Sequence, residues 1–187
     1  MTRLILKDAN LLDGDNPGRR ATVVVEGEQI VDVSAGPVEA RPGDRVVDCT
    51  GRTVMPGMVQ AHFHAAYWNT GNSGKPLGLE VHPSHAALRA AANFRTALDC
   101  GFTACIGAAS PHGIDAAMKL AIAEGAMIGP RIMAGSRDVS TTGHSSDSSY
   151  PDWMKITAEG GVHIADGPDA IRRVIREEAK AGAEIIK

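Results

Sequence analysis

The 187-residue chain is poor in the features that announce several large functional classes. Aromatic residues make up only 4%, too few for a base-stacking surface. Its 19 Lys+Arg against 22 Asp+Glu leave a net charge of −3, with no electrostatic footprint for nucleic acid and no like-charge run to serve as a tail. No stretch approaches the ~18 continuous apolar residues of a membrane span. The short, interrupted apolar run in MTRLILKDANLLDG does not read as a secretory leader. The three cysteines, Cys49, Cys100 and Cys105, are odd in number, widely spaced and without a CxxC pair. They read as small buried thiols in a reducing compartment, so a cytoplasmic protein without nucleic-acid or membrane partners is expected. A Gly-x-Ser-x-Gly elbow and a Gly-rich phosphate cradle are also missing. What is there is ordinary globular usage, 43% apolar and 22% charged, in a length sufficient for a buried core.

The chain changes character near Pro56. Before it, short runs rich in Val and Ile (residues 4–7, 22–26, 29–33 and 45–48) are broken by Asp13-Gly14, Asn16-Pro17-Gly18, Gly27-Glu28 and Pro42-Gly43. They predict a small antiparallel β unit, its best hairpin pairing 22–26 with 29–33. From residue 53 onward, strand-like runs at 53–61, 102–106, 131–134 and 183–187 alternate with helical patterns. The first pattern places Ala87, Leu88, Ala91, Phe94 and Leu98 on one stripe, with Ser84 as its N-cap. The second uses Ile114, Ala117, Met118, Ala121 and Ile122, and the third uses Ile171, Val174, Ile175 and Ala179 after Pro168. Alternation of this kind predicts parallel strands with right-handed crossovers. A loop of about thirty residues after 131–134, carrying Tyr150 and Trp153, is long enough to be functional. Two domains are expected, 1–55 and 56–187.

The chemistry concentrates in Val54-Met55-Pro56-Gly57-Met58-Val59-Gln60-Ala61-His62-Phe63-His64. Side chains at i and i+2 on a strand share a face, so His62 and His64 at a strand end can converge on one ion. Neutral imidazole is a common ligand for zinc and related metals. Tyr67 and Trp68 follow directly and could wall a pocket, although ordinary packing explains them equally well. His144, in Thr141-Thr142-Gly143-His144, lies in the long loop, and His163 follows Gly160-Gly161-Val162 near the last helix; Tyr67 and His163 are candidate substrate contacts. His82 and His85 flank a helix start, and His112 falls in the first turn of a helix.

These segments resemble the amidohydrolase superfamily of metal-dependent hydrolases along the whole chain, and its prolidase-like and imidazolonepropionase-related branch in particular. VVDCTGRTVMPGMVQAHFH is similar to the family's entry into its first barrel strand. Gly182-Ala183-Glu184-Ile185-Ile186-Lys187 is similar to the fourth-strand segment that ends in a metal-bridging lysine. Gln60 departs from the pattern, since an acidic residue commonly precedes the first histidine by two.

The resemblance implies an α/β fold: part of a small N-terminal β-sandwich, then about half of a (β/α)8 TIM barrel. It implies a binuclear centre of two divalent ions, zinc by default, with His62 and His64 on one ion and Lys187 bridging to the second as a CO2-derived carbamate. A lysine amine near cations and away from water gives up its charge, and the neutral amine can add CO2. His144 would then meet substrate or the developing oxyanion. Two further histidines and an aspartate would come from later strands. With 187 residues against the ~250 of a complete barrel, the native protein is expected to continue through a further half barrel. The implied activity is hydrolysis of a small-molecule amide or peptide-like C–N bond, with Xaa-Pro dipeptides or N-acyl amino acids favoured. Self-association into a homo-oligomer stays open. A non-catalytic amidohydrolase-like scaffold and a mononuclear deaminase are the alternatives.

Overall fold

A computed structural model describes residues 2–68, 81–147 and 160–187, so Tyr150 and Trp153 lie outside the described residues. The chain divides into two compact units, residues 1–56 and 57–187. No described helix is long and apolar enough to cross a membrane.

The first unit is a five-stranded sheet of β1 (Arg3–Leu11), β2 (Arg19–Glu26), β3 (Gln29–Ser34), β4 (Arg45–Asp48) and β5 (Thr53–Val54). The hairpin of β2 and β3 forms around Gly27, whose positive φ of 58° suits the tight turn. The antiparallel expectation holds for β1–β2 and β2–β3, but β4 and β5 both run parallel to β1. After β3 the chain crosses to the far edge of β1 instead of folding back beside its predecessor, a choice made by distant pairing rather than by local pattern. Ile5, Ala9, Ala21, Val23 and Val24 are buried. The Arg3 guanidinium bonds both Asp44 oxygens and holds that carboxyl down to about 2.

The second unit carries the alternation. β6 (Met58–Phe63), β7 (Phe102–Gly107) and β8 (Arg131–Met133) form a parallel sheet in that order, linked by α1 (Pro83–Asp99) and α2 (Ile114–Ala123). A short parallel pair, β9 (Asp138–Ser140) with β10 (Val162–Ile164), precedes α3 (Pro168–Lys180). The expected strand at 53–61 is two elements, β5 and β6, divided at Met55-Pro56-Gly57. The expected fourth strand is a single parallel bridge, Gly135 to Ile185. The buried stripe of α1 is Ala86, Ala90, Phe94 and Ala97, while Leu88 is 73% exposed. Small residues set how closely this helix lies on the sheet, and Phe94 fills the remaining space against Phe63, its ring 5.2 Å away. His82, not Ser84, caps the helix, its Nδ1 accepting from Ser84 N at 3.2 Å.

Asp115, in the first turn of α2, is 2% exposed and accepts from Gly135 N at 3.3 Å. Burial pushes its carboxyl up to about 6, against the opposing bonds from Gly135 and Ser110. The folded state therefore holds this proton more tightly than the unfolded chain. The contribution of Asp115 to stability is fullest below about pH 4, falls as pH rises through about 6, and is level above that. Asp115→Asn keeps an oxygen acceptor and lacks this decline. Urea melts are expected to show the variant gaining up to ~3 kcal/mol over the parent at pH 7.5, with the gap closing near pH 4. A gap independent of pH would contradict this.

Candidate active site

β6 pairs with β7 out of simple register, with Gln60 opposite Cys105 and Phe63 opposite Gly107, so the longer β6 segment bulges around Ala61 and His62. The bulge interrupts the alternation that would put Gln60 on the histidine face. Gln60 and Phe63 instead line a cavity of about 200 Å³ with Asn93, Thr96 and Ala97 of α1. Gln60 meets His62 only through the backbone, where His62 N donates to Gln60 Oε1 at 3.5 Å.

Past the bulge the two histidines converge, His62 Nε2 lying 3.1 Å from His64 Nε2. The rings stand edge to face with centroids 5.0 Å apart. The opposite face of His64 stacks on Tyr67 at 4.2 Å with 8° between the planes. Tyr67 is placed by Asn93 of α1, whose Nδ2 donates to the carbonyls of Ala65 and Tyr67, both at 2.8 Å. Burial pushes His64 below its ordinary range, helped by His62 and the Lys187 ammonium and opposed by Asp138 and the Ala109 carbonyl. That carbonyl lies near the ring without reaching hydrogen-bond geometry, leaving buried Nδ1 unpartnered among the described residues. Tyr67 is pushed up by burial and then by the Asp138 carboxylate.

Lys187 reaches this neighbourhood through its backbone. Lys187 N donates to Ser136 Oγ at 3.0 Å, and its carbonyl accepts from Val139 N at 2.8 Å. Two residues earlier, the Ile185 carbonyl accepts from Ser136 N at 2.9 Å. Its side chain is near enough to His64 to disfavour protonation of that imidazole.

The remaining candidates stand apart. Exposed His144 holds its Nδ1 3.0 Å from Ser140 Oγ and 3.2 Å from Ser145 Oγ. Its loop is pinned where Thr142 N and Oγ1 donate to Asp166, at 3.0 and 2.5 Å. His163 on β10 places Nε2 3.0 Å from Glu178 Oε1 of α3. Among the described residues no hydrogen bond, ion pair or ring contact joins either one to His62, His64 or Lys187. His112 sits in a 3-10 turn (Pro111–Gly113) with φ 57°, its N–H donating to the Gly160 carbonyl at 2.6 Å. The sequence reading missed Asn93, Ser136, Asp138 and Glu178, which carry no motif of their own.

The two imidazole nitrogens fit a shared metal ion. Ligands at Zn–N distances of ~2.0–2.1 Å in a tetrahedron stand about 3.3 Å apart, against the 3.1 Å seen. A ligating imidazole uses one nitrogen and donates the other N–H to an acceptor; with Nε2 on the ion, His64 Nδ1 would be the donor, and it has no partner among the described residues. Among the described residues no three His, Cys, Asp or Glu side chains gather to hold a metal. Such an ion would therefore take His62 and His64, with Lys187 as the neighbouring group.

Comparison with known proteins decides the family, since the Amidohydrolase family model matches residues 53–187. The chain belongs to the amidohydrolase family. It is 28% identical over 197 residues to ochratoxinase of Aspergillus niger, covering 95% of this chain and 40% of that protein. A solved amidohydrolase structure, 28% identical, superposes with a TM-score of 0.81 over 99% of this chain and 46% of its own. A prolidase complexed with N-methylphosphonate-L-proline, 29% identical, superposes with a TM-score of 0.77 over 97% of this chain and 45% of its own. The chain spans less than half the length of these relatives, and its mixed α/β fold is shared with amidohydrolases of the TIM-barrel superfamily.

Proposed function

We propose that the protein hydrolyses C–N bonds of small amide or peptide-like substrates at a two-metal centre to which this chain contributes His62, His64 and carboxylated Lys187. The observation that carries the proposal is the convergence of two imidazole Nε2 atoms at 3.1 Å near a lysine whose backbone is held by Ser136 and Val139. Divalent ions, zinc by the character of the donors, would supply a water made acidic enough to attack at neutral pH and would polarise the substrate carbonyl.

The chain's own residues prepare that chemistry. Burial lowers the pKa of His64 and so favours the neutral imidazole, whose Nε2 lone pair can bind. The Tyr67 ring fixes the plane of His64, and Asn93 fixes Tyr67. Once its ammonium has given a proton to solvent, Lys187 Nζ would add to the carbon of CO2: an N–C bond forms, one C–O π pair moves to oxygen, and a further N–H proton leaves to solvent. The product carries one negative charge over two oxygens, a bridging ligand that an uncharged amine cannot provide. His144 Nδ1 is held by serine hydroxyls and its Nε2 has no partner among the described residues, which suits a donor to the developing oxyanion. Tyr67 walls the site. His163 spends Nε2 on Glu178 and could meet substrate only through Nδ1.

Xaa-Pro dipeptides and N-acyl amino acids are the favoured substrates, in keeping with the prolidase among the related structures. The protein in full length, supplied with zinc and bicarbonate in 18O-enriched water, is expected to release a free amine and a carboxylate carrying one 18O. Failure of every amide class with both metal equivalents bound would overturn the hydrolase reading and favour a scaffold. Ammonia release from an aminated heterocycle with one ion bound would favour a deaminase.

A further inference from the structure

The most elaborate polar cluster outside the histidine pair centres on Glu178. This carboxylate, on α3, is 2% exposed, where a charged residue is rare unless paired. It is fully engaged. Oε2 accepts from Arg137 N at 2.9 Å, and Oε1 accepts from Arg137 Nε at 2.8 Å and lies 3.0 Å from His163 Nε2. A second guanidinium nitrogen of Arg137 is 2.6 Å from Oε1. Burial pushes the Glu178 carboxyl up, but the backbone and guanidinium bonds of Arg137 and the contact with His163 outweigh it, leaving it below its ordinary range.

One side chain thus ties together a helix and two separate strand segments. The segment it grips is the one that carries the lysine. Arg137 lies between Ser136, which bonds the Ile185 carbonyl and the Lys187 N–H, and Val139, which bonds the Lys187 carbonyl. Ser136 Oγ also donates to the Arg137 carbonyl at 2.6 Å, so the hydroxyl that receives Lys187 is oriented by the residue Glu178 holds. Both backbone groups of Lys187 rest on residues 136–139, and Glu178 bonds both the backbone and the side chain of that segment.

We infer that Glu178 is a positioning residue for Lys187: acting through Arg137 and Ser136, it holds the lysine where its carbamate forms and bridges. This rests on the proposed function above. Groups that bond a metal ligand directly typically change metal affinity ~10–100-fold when lost; Glu178 acts at further remove, so the low end of that range is expected.

The test uses the full-length protein and its variants Glu178→Gln, His163→Gln and Val174→Ala. Each is equilibrated with 13C-bicarbonate and zinc and read by the carbamate 13C resonance, by metal content and by thermal melting. Glu178→Gln is expected to lose most of the carbamate signal and to bind the second zinc equivalent at least tenfold more weakly, while keeping the first at His62 and His64. His163→Gln, which removes one contact of the cluster, should weaken the second equivalent by a smaller factor in a chain that still folds. Val174→Ala, a loss of buried volume on the same helix, should lower the melting temperature and leave the carbamate intact. Full carbamate and unchanged second-metal affinity in Glu178→Gln would overturn the inference. If Glu178→Gln fails to fold, unchanged second-metal affinity in His163→Gln would overturn it instead. A parent protein without any carbamate signal would instead overturn the proposed function on which the inference rests.

Discussion

Replacing Lys187 by alanine in the full-length protein is expected to lower kcat/KM by about 10³-fold or more and to remove one of two metal equivalents. Metal polarisation and water activation are together worth several kcal/mol of barrier, and each ~1.4 kcal/mol is tenfold in rate. Lys187 is tied to Ser136 and Val139 through its backbone alone, so truncating the side chain leaves those bonds in place and the fold should survive. Lys187→Arg sharpens the test. A guanidinium keeps the positive charge and the length but is always protonated and cannot add CO2. It should be as inactive as alanine, with a wild-type melting temperature. Activity in the arginine variant within tenfold of the parent would show that the lysine acts as a simple cation.

Gly107→Ala is expected to cost the second unit more than ~3 kcal/mol, enough to prevent folding in a marginally stable protein. A methyl group on Gly107 would stand 2.6 Å from the Gly135 amide nitrogen and closer still to the Asp115 carboxylate. The approach is reciprocal, because a methyl on Gly135 would meet the Gly107 carbonyl carbon and oxygen at 2.8 Å. Backbone faces backbone here, so no rotamer change relieves the clash. The two glycines end β7 and follow β8, and Gly135 also bridges to Ile185 and donates to Asp115. Moving either strand therefore disturbs the segment that carries Lys187. Gly36, with open space around it, is the control: Gly36→Ala should stay within ~0.5 kcal/mol by urea unfolding. A stable Gly107→Ala protein would contradict the close approach.

What could be read in the sequence was what local pattern controls. The β2–β3 hairpin, the helices α1 to α3 and the histidine pair are all written within a few consecutive residues. Distant pairing was not legible, as the parallel return of β4 and β5 to β1 shows. The bulge in β6 was equally hidden, since nothing in Gln60-Ala61-His62 marks an extra residue. In α1 the large apolar residues drew attention to Leu88, whereas small Ala86 and Ala90 face the core. Glu178 escaped for a related reason. Position 178, one turn beyond Val174, lies on the buried face of α3, but its charge reads as solvent-facing, and only Arg137 and His163, 41 and 15 residues away in sequence, make its burial tolerable. Lys187 was legible through its resemblance to a family segment, but not the Ser136 and Val139 bonds that hold it.

A metal centre that needs Lys187 as a carbamate is tested most directly by metal stoichiometry. The full-length protein, stripped with chelator and reconstituted with zinc, is expected to bind two ions per chain when bicarbonate is present. Without bicarbonate it should bind one, at His62 and His64, and hydrolytic activity should follow the second ion. One ion per chain whatever the bicarbonate concentration, or none, would contradict it.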